Sequence, residues 1–83
     1  MKRKICIINP NTTKAMTHKI DLTAKKFASA DTEIVSVEPS VGPESIEGFY
    51  DEAFCIPGLV EEVKKNSDAD SYIIACFDDT GLE

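Results

Sequence analysis

The chain has 83 residues, of which 42% are hydrophobic and 29% charged, and its formal net charge at pH 7 is −6. This composition is typical of one small globular domain and excludes a disordered tail. The negative charge argues against nucleic acid as a partner, because phosphate binding needs clustered Lys and Arg.

The sequence predicts neither a membrane span nor a signal peptide. No apolar run approaches the roughly 20 residues of a transmembrane helix, and the run at residues 5–8 is too short for a signal peptide. The three cysteines, Cys6, Cys55 and Cys76, have no CxxC or His-bearing spacing, and their odd number is typical of free thiols in a reducing compartment. We therefore expect a cytoplasmic protein with no disulfide framework and no metal site.

The first half of the chain has the pattern of a strand followed by a helix. Residues 5–8 (ICII) form an apolar run typical of a strand buried on both faces, and Pro10 ends it. Asn11 or Thr12 is the expected N-cap of a helix over residues 13–29. Its apolar side chains recur at helical spacing and predict a packed face that contains Met16, Ile20, Thr23 or Ala24, and Phe27.

The second half repeats this order of elements. Residues 33–37 (EIVSV) predict a second strand, and a loop follows through residue 48. Because Pro57 cannot lie inside a helix without a kink, the pattern that follows predicts two short helices, at residues 46–55 and 59–65. Residues 72–76 (YIIAC) predict a third strand, apolar on both faces and expected to be central in the sheet.

Strands that alternate with helices predict an α/β fold with three layers, α/β/α, around a parallel sheet of three strands. Such sheets bind ligands at the carboxyl ends of their strands. We therefore expect residues 9–13, 39–48 and 76–81 to gather along one edge. Since the sheet has only three strands and the third has no helix after it, residues 1–83 are expected to be the truncated first domain of a longer protein. The unpaired edge of this sheet favours pairing with another copy, so we expect a homo-oligomer.

Cys76 is the best candidate for chemistry from the residues alone. It ends a buried strand where a helix should begin, and helix N-terminal amides lower the pKa of a thiol. Asp78 and Asp79 would raise this pKa if they lie close to the thiol. It stays an open alternative that Cys76 is only a small buried residue at the end of the strand. Cys6 and Cys55 are expected in the core. His18 is expected on a solvated helix face.

Further polar groups lie at the predicted ligand edge. Asn9, Asn11 and Thr12 offer amide and hydroxyl groups there, although such residues also serve as turn and cap residues. Asp78 and Asp79 could bind Mg²⁺, although one acidic pair is a weak signal. A receiver-like regulatory domain, with Asp78 or Asp79 as the phosphoacceptor at the end of the third strand, is a remote alternative. That alternative needs an acidic cluster after the first strand, where the sequence has NPN.

Three blocks, INPNTT, GPESIEGFYDEAFCIPGLVEEV and IIACFDDTGL, together resemble the hydantoin racemases. These belong to the Asp/Glu racemase superfamily, which also contains allantoin racemases, and the similarity covers essentially the whole chain. The resemblance implies an enzyme without a cofactor, in which two cysteines face each other across the α-carbon of a small-molecule substrate. Cys76 matches the first cysteine, and the second belongs to a later domain.

The resemblance also implies a substrate and a set of residues that bind it. Loss of the α-proton leaves an enolate-like charge, which the amides of Phe77 and Asp78 would stabilise while Asn9 or Asn11 holds the ring. We expect racemisation of 5-substituted hydantoins, with allantoin as the alternative, and no activity from this chain alone. Beside Cys76, the expected site contains Asn9, Asn11, Thr12, Ser45, Phe77 and Asp78.

Overall fold

The computed structural model describes residues 2–75, in which strands and helices alternate along the chain. Their bounds are β1 Arg3–Ile8, α1 Lys14–Phe27, β2 Thr32–Val37, α2 Phe49–Lys65 and β3 Ser71–Ile74. The strands pair in parallel in the order β2-β1-β3. Within residues 2–75, neither helix is long and apolar enough to cross a bilayer. The predicted α/β fold with a parallel sheet is confirmed.

The central strand is β1. It pairs along its whole length with β2 and through residues 5–8 with β3. The expectation that the third strand is central is wrong for the described strands, since β3 pairs with β1 at one edge of the order β2-β1-β3 and its Ile73 is half exposed. An apolar run indicates that a strand is largely buried, but it does not give its position among the other strands.

The two helices cover opposite faces of the sheet. Cys6 and Ile8 of β1 are fully buried and pack against Leu59 of α2. Side chains at alternate strand positions point to the other face, where Thr17 of α1 lies across a narrow cleft from Ser36 of β2. The connection from β1 to β2 and the connection from β2 to β3 run in opposite directions across the sheet. When both are right-handed crossovers, their helices lie on opposite faces.

Helix α2 runs without interruption through Pro57. The prediction of two short helices is therefore wrong, as is a helix start at residue 46. The buried residues Cys55, Leu59 and Glu62 lie at helical spacing on both sides of the proline. Burial of this continuous face compensates the loss of about 3 kcal/mol that an interior proline brings to a helix.

Gly58 allows α2 to approach the loop that follows β2. A Cβ at this position would lie 2.8 Å from both the Pro39 Cβ and the Val41 carbonyl oxygen. We therefore expect Gly58→Ala to lower the free energy of unfolding by about 1–3 kcal/mol, despite the better helix propensity of alanine. Thermal denaturation measures the change. Gly48→Ala is the matched control, because nothing lies within 4 Å of a Cβ there, and an equal loss in the control would contradict this packing.

The start of α1 differs from the prediction. The N-cap is Thr13, not Asn11 or Thr12, and its side chain makes no capping hydrogen bond. Instead, the Thr13 N–H donates to the Asn11 Oδ1 at 3.0 Å. An Asn side chain that accepts a bond from the amide two residues later forms an Asx turn, so Asn11 shapes the entry to the helix from outside it.

The apolar face of α1 is not packed in the described chain. Met16 is 45% exposed and Phe27 is 79% exposed, whereas Thr17 is buried. The expectation of a packed apolar face is therefore wrong for Met16 and Phe27 within the described residues. Helical spacing identifies which side chains share a face, but it does not identify what covers that face.

Candidate functional site

The order β2-β1-β3 defines a switch point at the carboxyl edge of the sheet. The chain leaves β1 in one direction to form β2 and then returns past β1 to form β3. The Ala75 N–H donates to the Ile8 carbonyl at 2.9 Å, and the Asn9 N–H donates to the Val37 carbonyl at 2.9 Å. The segments that follow β1 and β3 therefore start side by side, at the point where open α/β sheets bind ligands.

A cleft of about 440 Å³ opens at this edge. Its walls come from the loop after β1, helix α1, the loop after β2 and the end of β3, namely Pro10, Asn11, Met16, Ile20, Ser45, Ile46 and Ala75. These lining residues are all uncharged and mostly apolar. A second cleft, of about 260 Å³, lies between α2 and the loop at residues 39–41, and the described residues that line it do not include the ends of β1 and β3. The first cleft is therefore the candidate site.

Backbone contacts hold two walls of the cleft together. The Thr12 N–H donates to the Pro43 carbonyl at 2.9 Å. One residue later, the Thr13 hydroxyl donates to the Glu44 carbonyl at 2.8 Å. These bonds hold the loop that contains Ser45 against the β1–α1 loop. The prediction that the loops after β1 and β2 gather at one edge is confirmed.

Asn9 lies beneath the cleft and is 1% exposed. Its Nδ2 donates to the Asn11 Oδ1 at 2.9 Å, the Thr17 hydroxyl at 3.2 Å and the Thr13 carbonyl at 3.3 Å. Its Oδ1 accepts the Asn11 backbone N–H at 3.4 Å. Both ends of the Asn9 carboxamide are thus engaged with protein groups.

Asn11 has a different arrangement. Its Oδ1 accepts two bonds, from the Asn9 Nδ2 and from the Thr13 N–H, which fixes the oxygen on the protein side. Its Nδ2 lies toward the cleft, 3.5 Å from the Met16 Sδ. A thioether sulfur is a weak acceptor. A carbonyl group of a bound molecule would accept from this amide more strongly, so Asn11 can donate to a ligand.

The predicted site residues divide into three groups. Asn11 and Ser45 line the cleft. Asn9 supports Asn11 from below, and Thr12 joins the two loops through its backbone. Outside the described residues lie Cys76, Phe77 and Asp78. Ala75, which immediately precedes Cys76, lines the cleft.

Three residues in or below the cleft were not predicted as part of a site. Met16 and Ile20 were assigned to the packed face of α1, yet they form a wall of the cleft. Thr17 carries the hydroxyl that accepts from Asn9. Thr17 lies four residues after Thr13, and residues four apart lie on the same face of a helix. This spacing could have indicated that Thr17 lies near the site.

The other cysteines and the histidine are where the sequence predicted them. Cys6 and Cys55 are both buried, and burial raises the pKa of the Cys6 thiol. The Cys55 thiol donates to the Glu52 carbonyl at 3.0 Å. His18 is exposed on α1. The described walls of the cleft include none of these three side chains.

Solved structures of racemases share the geometry of this chain. The allantoin racemase from Klebsiella pneumoniae superposes with a TM-score of 0.92 and 41% identity over 98% of the chain. The allantoin racemase from Pseudomonas fluorescens superposes with a TM-score of 0.81 and 33% identity over 87% of the chain. The chain covers 34% and 31% of these two structures, respectively.

Sequence comparison gives the same result. The chain is 53% identical over 81 residues to a hydantoin racemase from Pseudomonas sp. (strain NS671), and 40% identical over 83 residues to one from Paenarthrobacter aurescens. These matches cover 95% and 96% of the chain but 32% and 35% of the relatives, so the chain spans about a third of their length. Residues 5–83 match the sequence model of the family described as Asp/Glu/hydantoin racemase. The chain belongs to the Asp/Glu/hydantoin racemase family.

Proposed function

We propose that this chain is the first domain of a two-domain racemase that acts on 5-substituted hydantoins without a cofactor. The observation that carries the proposal is the cleft at the ends of β1 and β3, whose described lining residues are uncharged and include the Asn11 amide. A hydantoin is a neutral ring with carbonyl acceptors, which suits an amide donor among apolar side chains. Free aspartate or glutamate carries charges that need charged or strongly polar partners when buried.

Allantoin is the second candidate substrate, because two solved structures that are similar to this chain are allantoin racemases. Allantoin carries a polar ureido group at the ring carbon where other hydantoins carry their substituent. Such a group needs hydrogen-bond partners, whereas Met16, Ile20 and Ile46 offer an apolar wall. This wall favours hydantoins with an apolar substituent.

The proposed reaction inverts the ring carbon by moving protons across its two faces. The Cys76 thiolate removes the α-proton, and the electrons of the C–H bond pass to the neighbouring carbonyl as an enolate. The amides of Phe77 and Asp78 stabilise this oxygen, while Asn11 holds the ring. A second cysteine, from the later domain, then delivers a proton to the opposite face. The place of Ala75 in the cleft wall supports this role for the residue that follows it.

The proposed mechanism has consequences for the cellular compartment of the enzyme and for its need of cofactors. Two thiols that exchange protons must stay reduced, as they do in the cytoplasm. Neither step needs a metal or an organic cofactor, because a thiol and a thiolate supply the acid and the base. We also propose that the full-length enzyme forms homo-oligomers.

The test uses the full-length protein that carries this segment. We expect it to racemise L-5-benzylhydantoin in the presence of EDTA, with a kcat/KM at least about tenfold higher than for one enantiomer of allantoin. Circular dichroism follows the loss of optical activity for both substrates. A preference for allantoin would select the second candidate. Inactivity on both, or activity only after addition of a metal, would contradict the proposal.

A further inference from the structure

We infer that Asn9 and Thr17 are positioning residues, which fix the direction of the Asn11 carboxamide and touch no substrate themselves. The inference deepens the proposed function, on which it rests for the statement that Asn11 binds the substrate ring. It separates the roles of the two asparagines in the loop after β1. Only Asn11 faces the substrate, and Asn9 acts through it.

The direction of the Asn11 carboxamide follows from two donors. The Asn9 Nδ2 at 2.9 Å and the Thr13 N–H at 3.0 Å both point at the Asn11 Oδ1. A flipped carboxamide would turn its own NH₂ group toward these two donors, so that both bonds would be lost and N–H would face N–H. The two donors therefore hold the NH₂ end of Asn11 toward the cleft.

Asn9 can act as one of these donors because its own direction is fixed in turn. Its Nδ2 also reaches the Thr17 hydroxyl at 3.2 Å and the Thr13 carbonyl at 3.3 Å. The Thr17 hydroxyl accepts from Asn9 and donates to the Thr13 carbonyl at 3.5 Å. One buried hydroxyl on α1 thus joins the helix to the loop that carries Asn11.

Packing alone does not require a hydroxyl at position 17. Valine has nearly the same shape as threonine and suits a buried helix position without needing a hydrogen-bond partner. The side chain of Thr17 is buried, and its hydroxyl contacts the Asn9 amide. Thr17→Val therefore removes the hydrogen bond and preserves the shape.

The first experiment measures racemisation by the full-length protein. Thr17→Val should lower kcat/KM for L-5-benzylhydantoin about five- to tenfold, the effect of one lost hydrogen bond. Thr17→Ser keeps the hydroxyl and should restore most of this loss. Thr23→Val is the matched control, since Thr23 is exposed on the same helix, and it should leave kcat/KM unchanged.

The second arm repeats Thr17→Val in an Asn11→Ala background. There, the substitution should cause no further loss of kcat/KM, because the group through which Thr17 acts is gone. A role in stability alone predicts the same fold loss in both backgrounds. Equal losses in the two backgrounds would overturn the inference.

A spectroscopic measurement decides the inference independently of catalysis. The side-chain amide resonances of Asn11, assigned by their absence in Asn11→Ala, should change their chemical shifts in Thr17→Val and keep them in Thr23→Val, because the network that Thr17 supports fixes the direction of this carboxamide. Unchanged shifts in Thr17→Val would overturn the inference, whatever the enzyme does. If the unsubstituted protein racemises no hydantoin, the proposed function fails, and this measurement still tests the inference.

Discussion

We expect Cys76→Ser in the full-length protein to abolish the racemisation of at least one hydantoin enantiomer. A serine hydroxyl is a far weaker acid than a thiol, whose ordinary pKa is about 8.5, so the base form is absent at neutral pH. We expect the initial rate from that enantiomer to fall at least about a hundredfold, the contribution typical of a positioned acid or base. Circular dichroism measures the rate from each enantiomer separately.

The matched control for this substitution is Cys55→Ser. The Cys55 thiol donates to the Glu52 carbonyl at 3.0 Å, and a serine hydroxyl at this position can donate to the same carbonyl. The control should retain activity within a few-fold of the unsubstituted protein. Activity of Cys76→Ser at that same level would refute the role of Cys76 as acid or base.

Alkylation gives a second measure of the same role. Iodoacetamide reacts with the thiolate and needs access to the sulfur. Cys6 and Cys55 are both buried, and burial raises the pKa of the Cys6 thiol. Mass spectrometry of the native full-length protein should therefore find Cys76 labelled well before the other two. Faster labelling of Cys6 would contradict the assignment of Cys76 as the reactive thiol.

The second large effect concerns the 83-residue chain alone, which should neither racemise hydantoins nor exchange their α-proton. Inversion needs a proton removed from one face and another delivered to the opposite face. Cys6 is buried in β1 and Cys55 is buried in α2, and neither lines the cleft. Neither can therefore act as the missing partner. Exchange of the proton also needs a site closed to water. The walls that residues 2–75 form leave the cleft open to solvent.

The test incubates the purified chain with L-5-benzylhydantoin in D₂O. Proton NMR follows the loss of the α-proton, and optical rotation follows racemisation, both against a buffer blank. The same chain with Cys76→Ala is the control. Loss of the α-proton well above the blank, abolished in that control, would show that one cysteine suffices and would overturn the two-base account.

Local sequence patterns were sufficient to predict the strands, the first helix and the edge where the cleft lies. Residues 5–8 form a short apolar run rich in isoleucine, and residues 33–37 contain three β-branched apolar side chains, which is the pattern of short strands. The rule that ligands bind beyond the carboxyl ends of the strands identified the two loops that carry Asn11 and Ser45, both of which line the cleft. These features depend on residues that are near one another in the sequence, so a single sequence is enough to predict them.

Features that depend on distant contacts could not be predicted in this way. The central place of β1 is set by its pairing with both other strands. The continuous helix through Pro57 depends on burial of Cys55 and Leu59 on either side of it. The role of Thr17 depends on the direction of the Asn9 side chain, which no spacing rule gives.

The position of β1 between two later strands has a consequence for synthesis on the ribosome. The Lys4 backbone N–H donates to the Asp70 Oδ2 at 2.7 Å across 66 residues of sequence. Such distant pairing is slow, because the entropy of closing the loop is lost before the contacts form. A nascent chain therefore carries β1 with one open edge until β3 emerges, and open edges invite pairing with other chains. The cleft is then the last part of this segment to assemble, when Ala75 reaches Ile8.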